Sequence, residues 1–212
     1  MLSLGEIYFL NQALDSKDIY GLNGEEVLKN KTEYNDKAMD SLRNKNILNN
    51  DYSINERSYL LIKNLEKYKN ADTYVWINDM VLADVNEDHM IFIRKDNIIG
   101  EYEFRYTLKI HLFIQILKQY SFLREYNYNV KNENIYMDIA DFISVYILNK
   151  KEDDILILRK NIKNSLCDYY VYVYDNGIVL KYDVIKEYFI EMNPKDVRVE
   201  IYNFINSNYL IE

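Results

Sequence analysis

The chain has one cysteine, one proline and five glycines in 212 residues, with only two histidines, and each scarcity removes a class of answer. Cys167 alone closes no intramolecular disulfide, so the sequence points to a reducing compartment and away from a secreted, cross-linked scaffold. His89 and His111 have no cysteine or second histidine at ligand spacing, which leaves no zinc site. No window approaches the roughly 18 consecutive apolar residues of a membrane span. The most apolar stretch, Leu108 to Leu123, is broken by Lys109, His111, Gln115, Lys118 and Gln119. The opening Met1 to Leu14 lacks a basic start and a small-residue cleavage site, so no export signal is expected. Basic charge is also short: 26 Lys and Arg stand against 34 Asp and Glu, a net charge of −8. Such a field repels phosphate polymers and anionic lipid surfaces. The expectation is a cytoplasmic protein with no nucleic-acid partner and no membrane insertion.

What is present describes an ordinary globular chain, 49% hydrophobic and 28% charged. One domain over 1–212 is expected, with a sub-boundary near 124–134 where the segment Glu125 to Glu133 turns polar. Turns must lean on asparagine and aspartate, because glycine and proline are so few. The 22 tyrosines accompany many Lys, Asn and Ile residues, a compositional bias that argues for no stacking site of its own.

The order of elements predicts an α+β fold. Ser3 and Glu6 form a capping box for a first helix to Leu14, with Ile7, Leu10 and Leu14 inward. Asp18 to Gly24 reads as a short extended piece and a turn. Thr32 caps a second helix with Ala38, Met39 and Leu42 inward. Ser53 and Glu56 repeat the capping box ahead of a third, with Tyr59, Leu60, Ile62 and Leu65 as its apolar set. The period then becomes strand-like over Tyr74–Val85, Met90–Arg94 and Gly100–Thr107, an antiparallel meander turning at Asn86-Glu87-Asp88 and at Lys95-Asp96-Asn97. The two helices before these strands also give the N-terminal part a winged-helix-like look. Leu108 to Leu123 is expected as a helix, followed by helices near Met137–Leu148 and Asp153–Leu166. Asp175-Asn176-Gly177 sets a β-hairpin between Tyr169–Tyr174 and Ile178–Tyr182. Val184–Met192 reads as another strand, and Asn193-Pro194 starts a C-terminal helix to about Ile205.

No constellation equips the chain for catalysis. Asp84, Asn86 and Asp88 have the spacing of a calcium loop, but His89 replaces the turn glycine and Lys95 the closing glutamate, so a hairpin turn is expected. His111 is read as semi-buried and Cys167 as a buried thiol. Glu101 and Glu103 alternate on one strand face, the arrangement of a glycosidase pair or simply of a wet face. Gly21-Leu22-Asn23-Gly24 lacks the lysine and hydroxyl of a phosphate loop. Glu152-Asp153-Asp154 is read as favouring a helix dipole. No cofactor or metal follows from any of these.

The helix at Leu4-Gly5-Glu6-Ile7, the helix Asp36–Asn46, the string Ile47 to Ile54 and the helix Asn55–Asn70 lead into Val75-Trp76-Ile77. In this layout the N-terminal half resembles the EspG-type chaperones of type VII secretion systems, including the EsaE-like proteins of Gram-positive bacteria. The resemblance implies a cytoplasmic, non-enzymatic chaperone that holds helical-hairpin clients of the WXG or LXG type before export. Asn97, Ile98 and Ile99, at the second meander turn, are the first candidate for contact with such a partner, because two adjacent β-branched residues at a turn are hard to bury together. Tyr202 and Ile205 on the terminal helix are the second. An acidic immunity protein that neutralises a toxin domain is the alternative function, and a homodimer is left open.

Overall fold

The computed structural model describes residues 1–14, 18–24, 31–125, 130 and 133–206. The described residues open with helices α1 (Leu4–Gln12), α2 (Lys31–Asn44) and α3 (Tyr59–Lys69). The expected capping box is present on α1, with Ser3 Oγ accepting from Glu6 N and a Glu6 carboxylate oxygen accepting from Ser3 N. Helix α2 includes Thr32, whose side chain lies outside the described residues. The third helix starts differently from expectation. Asp51, not Ser53, organises the approach by accepting from the Ser53 backbone and hydroxyl, and those bonds hold its carboxyl below the usual range. Asn55 then caps a single 3₁₀ turn ahead of α3. Of its expected apolar set Ile62 and Leu65 are buried, joined by Tyr68, while Tyr59 and Leu60 at its first turn face water.

A four-stranded meander follows: β1 (Thr73–Ile77), β2 (Met80–Asp84), β3 (His89–Lys95) and β4 (Tyr102–Leu108). The run expected as one strand from Tyr74 to Val85 is a hairpin, reversed at Asn78-Asp79 with Asn78 at φ 52°. Helix α4 (Lys109–Gln119) and a 3₁₀ turn at Ser121–Arg124 come next. Beyond them lie β5 (Ile135–Tyr136), α5 (Ile139–Phe142) with a π turn, β6 (Ile155–Ile162), β7 (Ser165–Asp175), β8 (Ile178–Asp183), β9 (Tyr188–Met192) and α6 (Pro194–Asn206).

The helix expected over Asp153–Leu166 is therefore a strand, β6. Its apolar residues serve both faces: Leu156 and Leu158 join one core, while Ile155 and Ile157 pack on the other. A strand covered on both sides loses the alternation that identifies a half-buried strand. Its hairpin to β7 turns at Lys163-Asn164, both left-handed at φ 47° and 68°. Glu152, Asp153 and Asp154 consequently form a 3₁₀ turn before a strand and not the first turn of a helix. The expected Asn-Gly hairpin is present, with Asn176 at φ 49° and Gly177 at φ 91°.

The nine strands of the described residues make one antiparallel sheet in the order β4-β3-β2-β1-β6-β7-β8-β9-β5. The two halves of the chain thus meet through β1 and β6, Val75 opposite Lys160. One face carries α4 and α6 over a core that includes Leu112, Ile116, Leu158, Tyr172 and Ile201. The opposite face is shared between α1, α2 and α3 on the meander and α5 on β7–β9. With helices on both faces of an antiparallel sheet, the fold is α+β. Among the described residues, no helix is long and apolar enough to cross a membrane.

Candidate partner-binding site

The turn between β3 and β4 is built by one aspartate. Asp96 donates its backbone N–H to the Glu101 carbonyl at 2.8 Å, and its own carbonyl accepts from Gly100 N at 2.8 Å. Its side-chain Oδ1 accepts from the N–H groups of Ile98 at 2.8 Å and Ile99 at 3.1 Å. Gly100 closes the loop at φ 72°, a left-handed position that a side chain would strain. The N–H groups of Asp96, Ile98, Ile99 and Gly100 are thereby held by the turn itself, while the isoleucine side chains are left in water. Ile98 is 95% exposed and Ile99 57%. The sequence called for one of the two to be exposed; both are, because Asp96 occupies the inner side of the turn.

The base of this tip is anchored. Leu2 bonds Tyr102 through both main-chain groups, at 2.9 and 2.7 Å, on the open edge of β4. Lys45, just beyond α2, lies 2.9 Å from both Glu6 and Glu101. Burial works against the Glu6 charge, but hydrogen bonds from Lys45, Ser3 and Ser41 outweigh it and hold the carboxyl below its ordinary range. Burial likewise works against the Lys45 ammonium, and its bonds to Glu101 and Glu6 raise its pKa.

Asn97, exposed like its neighbours, lines a cleft of about 560 Å³ on the side of the tip. Ile77, Met80, Ile155 and Ile157 supply its apolar part, and Asn78, Gln119 and Tyr120 its amide and hydroxyl groups. Asn78 fixes one wall. Its Oδ1 accepts from Ile157 N at 2.7 Å, and its Nδ2 donates to the Ile155 carbonyl at 3.3 Å and to Tyr120 Oη. Asp79, Glu152 and Asp153 also line the cleft. Burial first, then the negative field of Asp79 and of Asp153 and Glu152, pushes the Tyr120 phenol up to about 12. These carboxylates were missed in the sequence because Asp79 sits in a turn read as strand, and Glu152 and Asp153 at a strand start read as helix.

The other expected residues divide. Tyr202 is 44% exposed and meets Phe113 of α4 edge to face, with ring centroids 5.5 Å apart. Ile205 is 1% exposed: it belongs to the core between α6 and the sheet, which withdraws it from any contact surface. His111 is exposed on α4 and not semi-buried. Cys167 is exposed as well, since the hairpin into β7 projects beyond the core there. Glu101 and Glu103 do not act as a free pair: Glu101 is bound by Lys45, and Glu103 lies 3.0 Å from Arg94. Asp84, the first oxygen of the calcium-like spacing, lies 2.9 Å from Lys109, and Asn86 Oδ1 closes the turn by accepting from Asp88 and His89 N–H groups. Among the described residues no group of His, Cys, Asp and Glu side chains is placed to hold a metal ion.

The fold and this site together define an α+β protein with a fixed apolar tip beside an acidic cleft. By sequence the chain belongs to the family described as Domain of unknown function (DUF5081), whose model matches residues 1–138. That span includes the N-terminal helices, the meander with its tip, and α4; Glu152 and Asp153 lie beyond it. No curated protein matches the chain.

Proposed function

We propose that this protein is a non-enzymatic, cytoplasmic chaperone of type VII secretion, which binds helical-hairpin clients of the WXG or LXG type through the β3–β4 tip. The observation that carries the reading is the exposure of Ile98 and Ile99 on a turn that bonds the N–H groups of Asp96, Ile98, Ile99 and Gly100 internally. Burying an isoleucine side chain is worth about 1.5–3 kcal/mol, and the turn forgoes that gain twice over. Folding gives no reason to place two isoleucines there; an apolar partner surface does. The resemblance of the N-terminal layout to EspG-type chaperones supplies the kind of partner.

The test is the identity of what co-purifies with the tagged protein from its native cytosol. The reading expects a helical-hairpin secretion substrate, recovered by the natural protein and lost by the double variant Ile98→Ser, Ile99→Ser. That variant should melt within about 0.5 kcal/mol of the natural protein, as expected of exposed positions. Recovery of a toxic enzyme domain would support an immunity protein and overturn the chaperone reading, and undiminished capture by the variant would remove the tip from it.

A further inference from the structure

The acidic cleft has a composition that the apolar tip does not explain. Asp79, Glu152 and Asp153 are all exposed around it and have no ion-pair partner among the described residues. Its arginine, Arg94, is 3.0 Å from Glu103 and so already engaged. The carboxylates do not form a group able to hold a metal ion, which favours an elongated organic cation over a compact inorganic one. The floor points the same way. The half-buried Ile155 and Ile157, with the edge of Met80, offer apolar contact of the kind that the methylene stem of a lysine or arginine makes while its charged head stays near water. The wall is held rigid by Asn78, bonded to β6 on both sides of its amide. Finally, Asn97 lines the cleft and Ile98, the next residue in the chain, is exposed, so the tip adjoins the cleft.

We propose that the cleft receives a lysine or arginine side chain of the same polypeptide whose apolar face meets Ile98 and Ile99. Naming that polypeptide as the secretion client rests on the function proposed above; the recognition of a basic side chain beside an apolar contact does not. The apolar tip supplies adhesion, and the cleft supplies register and selectivity, because a client with a basic residue at this position gains an attraction to three carboxylates that a neutral one does not. A net charge of −8 on the whole chain adds attraction at longer range.

The test uses the full chain and three probes: an amphipathic apolar peptide carrying one arginine, the same peptide with neutral citrulline in that place, and N-acetylarginine amide. Binding is read by fluorescence anisotropy and by amide chemical shifts at Asn78, Asn97 and Gln119. The arginine peptide is expected to bind about tenfold more tightly than the citrulline peptide, a difference of about 1.4 kcal/mol, and the preference should shrink as salt is added. In the variant Asp79→Asn, Glu152→Gln, Asp153→Asn the preference should vanish. Glu152→Gln alone, on an exposed turn, should remove part of it, which covers a folding fault in the triple variant. In Ile98→Ser, Ile99→Ser both peptides should weaken while their ratio stays. Equal binding of the two peptides to the natural protein overturns the proposal, as does a preference that survives in the triple variant. N-acetylarginine amide binding as tightly as the peptide also overturns it, by making the cleft a small-molecule site. Unchanged affinity in the tip variant, with the arginine preference intact, counts against the tip and leaves the cleft standing.

Discussion

Lys45 shows how much can rest on one side chain. It joins Glu6 of α1 to Glu101 at the foot of the tip, and Glu6 is otherwise enclosed. Removing one partner of a buried pair costs 3–5 kcal/mol when both are fully enclosed. Lys45 is partly exposed, so Lys45→Ala is expected to cost about 2 kcal/mol at neutral pH, measured by urea unfolding. The sign of the pH dependence follows from Glu6. Its folded pKa lies below the ordinary value, so the stability it contributes is present above about pH 4.5 and lost as pH falls through the folded pKa. The cost of Lys45→Ala should therefore shrink in acid; a cost independent of pH would place the effect in packing instead. None of this was visible in the sequence, because Lys45 and Glu6 are distant in the chain and only the Ser3–Glu6 half of the arrangement has a local signature. Ile98 and Ile99 were visible, since their adjacency at a turn is itself the signal.

At the scale of elements, signals that act over a few residues were legible. The Ser3 box, the Asn176-Gly177 turn and the Pro194 helix start each depend on neighbours within one turn, and each is where it was expected. Two of the departures show why others were not, one through a competing local partner and one through packing from distant segments. Ser53 and Glu56 have capping-box spacing, but Asp51 takes the Ser53 donors and Asn55 becomes the cap. Strand β6 has a helix-like apolar run because cores lie on both of its faces. The two assignments for this segment differ in a measurable way. A helix over Asp153–Leu166 would turn Leu158 and Leu166 inward on one stripe, whereas in the sheet Leu158 is buried and Leu166 exposed. Leu158→Ala should accordingly cost about 2–5 kcal/mol, and Leu166→Ala within about 0.5 kcal/mol of nothing. Comparable losses at both positions would contradict the strand.

Across the whole molecule, the sheet runs without a break from β4 to β5, and the family match to residues 1–138 stops within that continuous structure. The cleft reflects this. Asp79, Asn97 and Tyr120 come from the matched part, and Glu152 and Asp153 from the part that completes the sheet through β6. Composition and charge could indicate what the surface repels, but not that three carboxylates from distant segments converge beside the tip. The tip's proposed role as a contact surface for another polypeptide is open to direct test. The most direct measurement places the photo-crosslinking residue p-benzoylphenylalanine at Ile98 in living cells, with the same residue at exposed Val145 as the control. A contact surface at the tip gives one discrete adduct from position 98, with a helical secretion client as its second component, and none from position 145. No adduct at 98, or the same adducts from both positions, would contradict it.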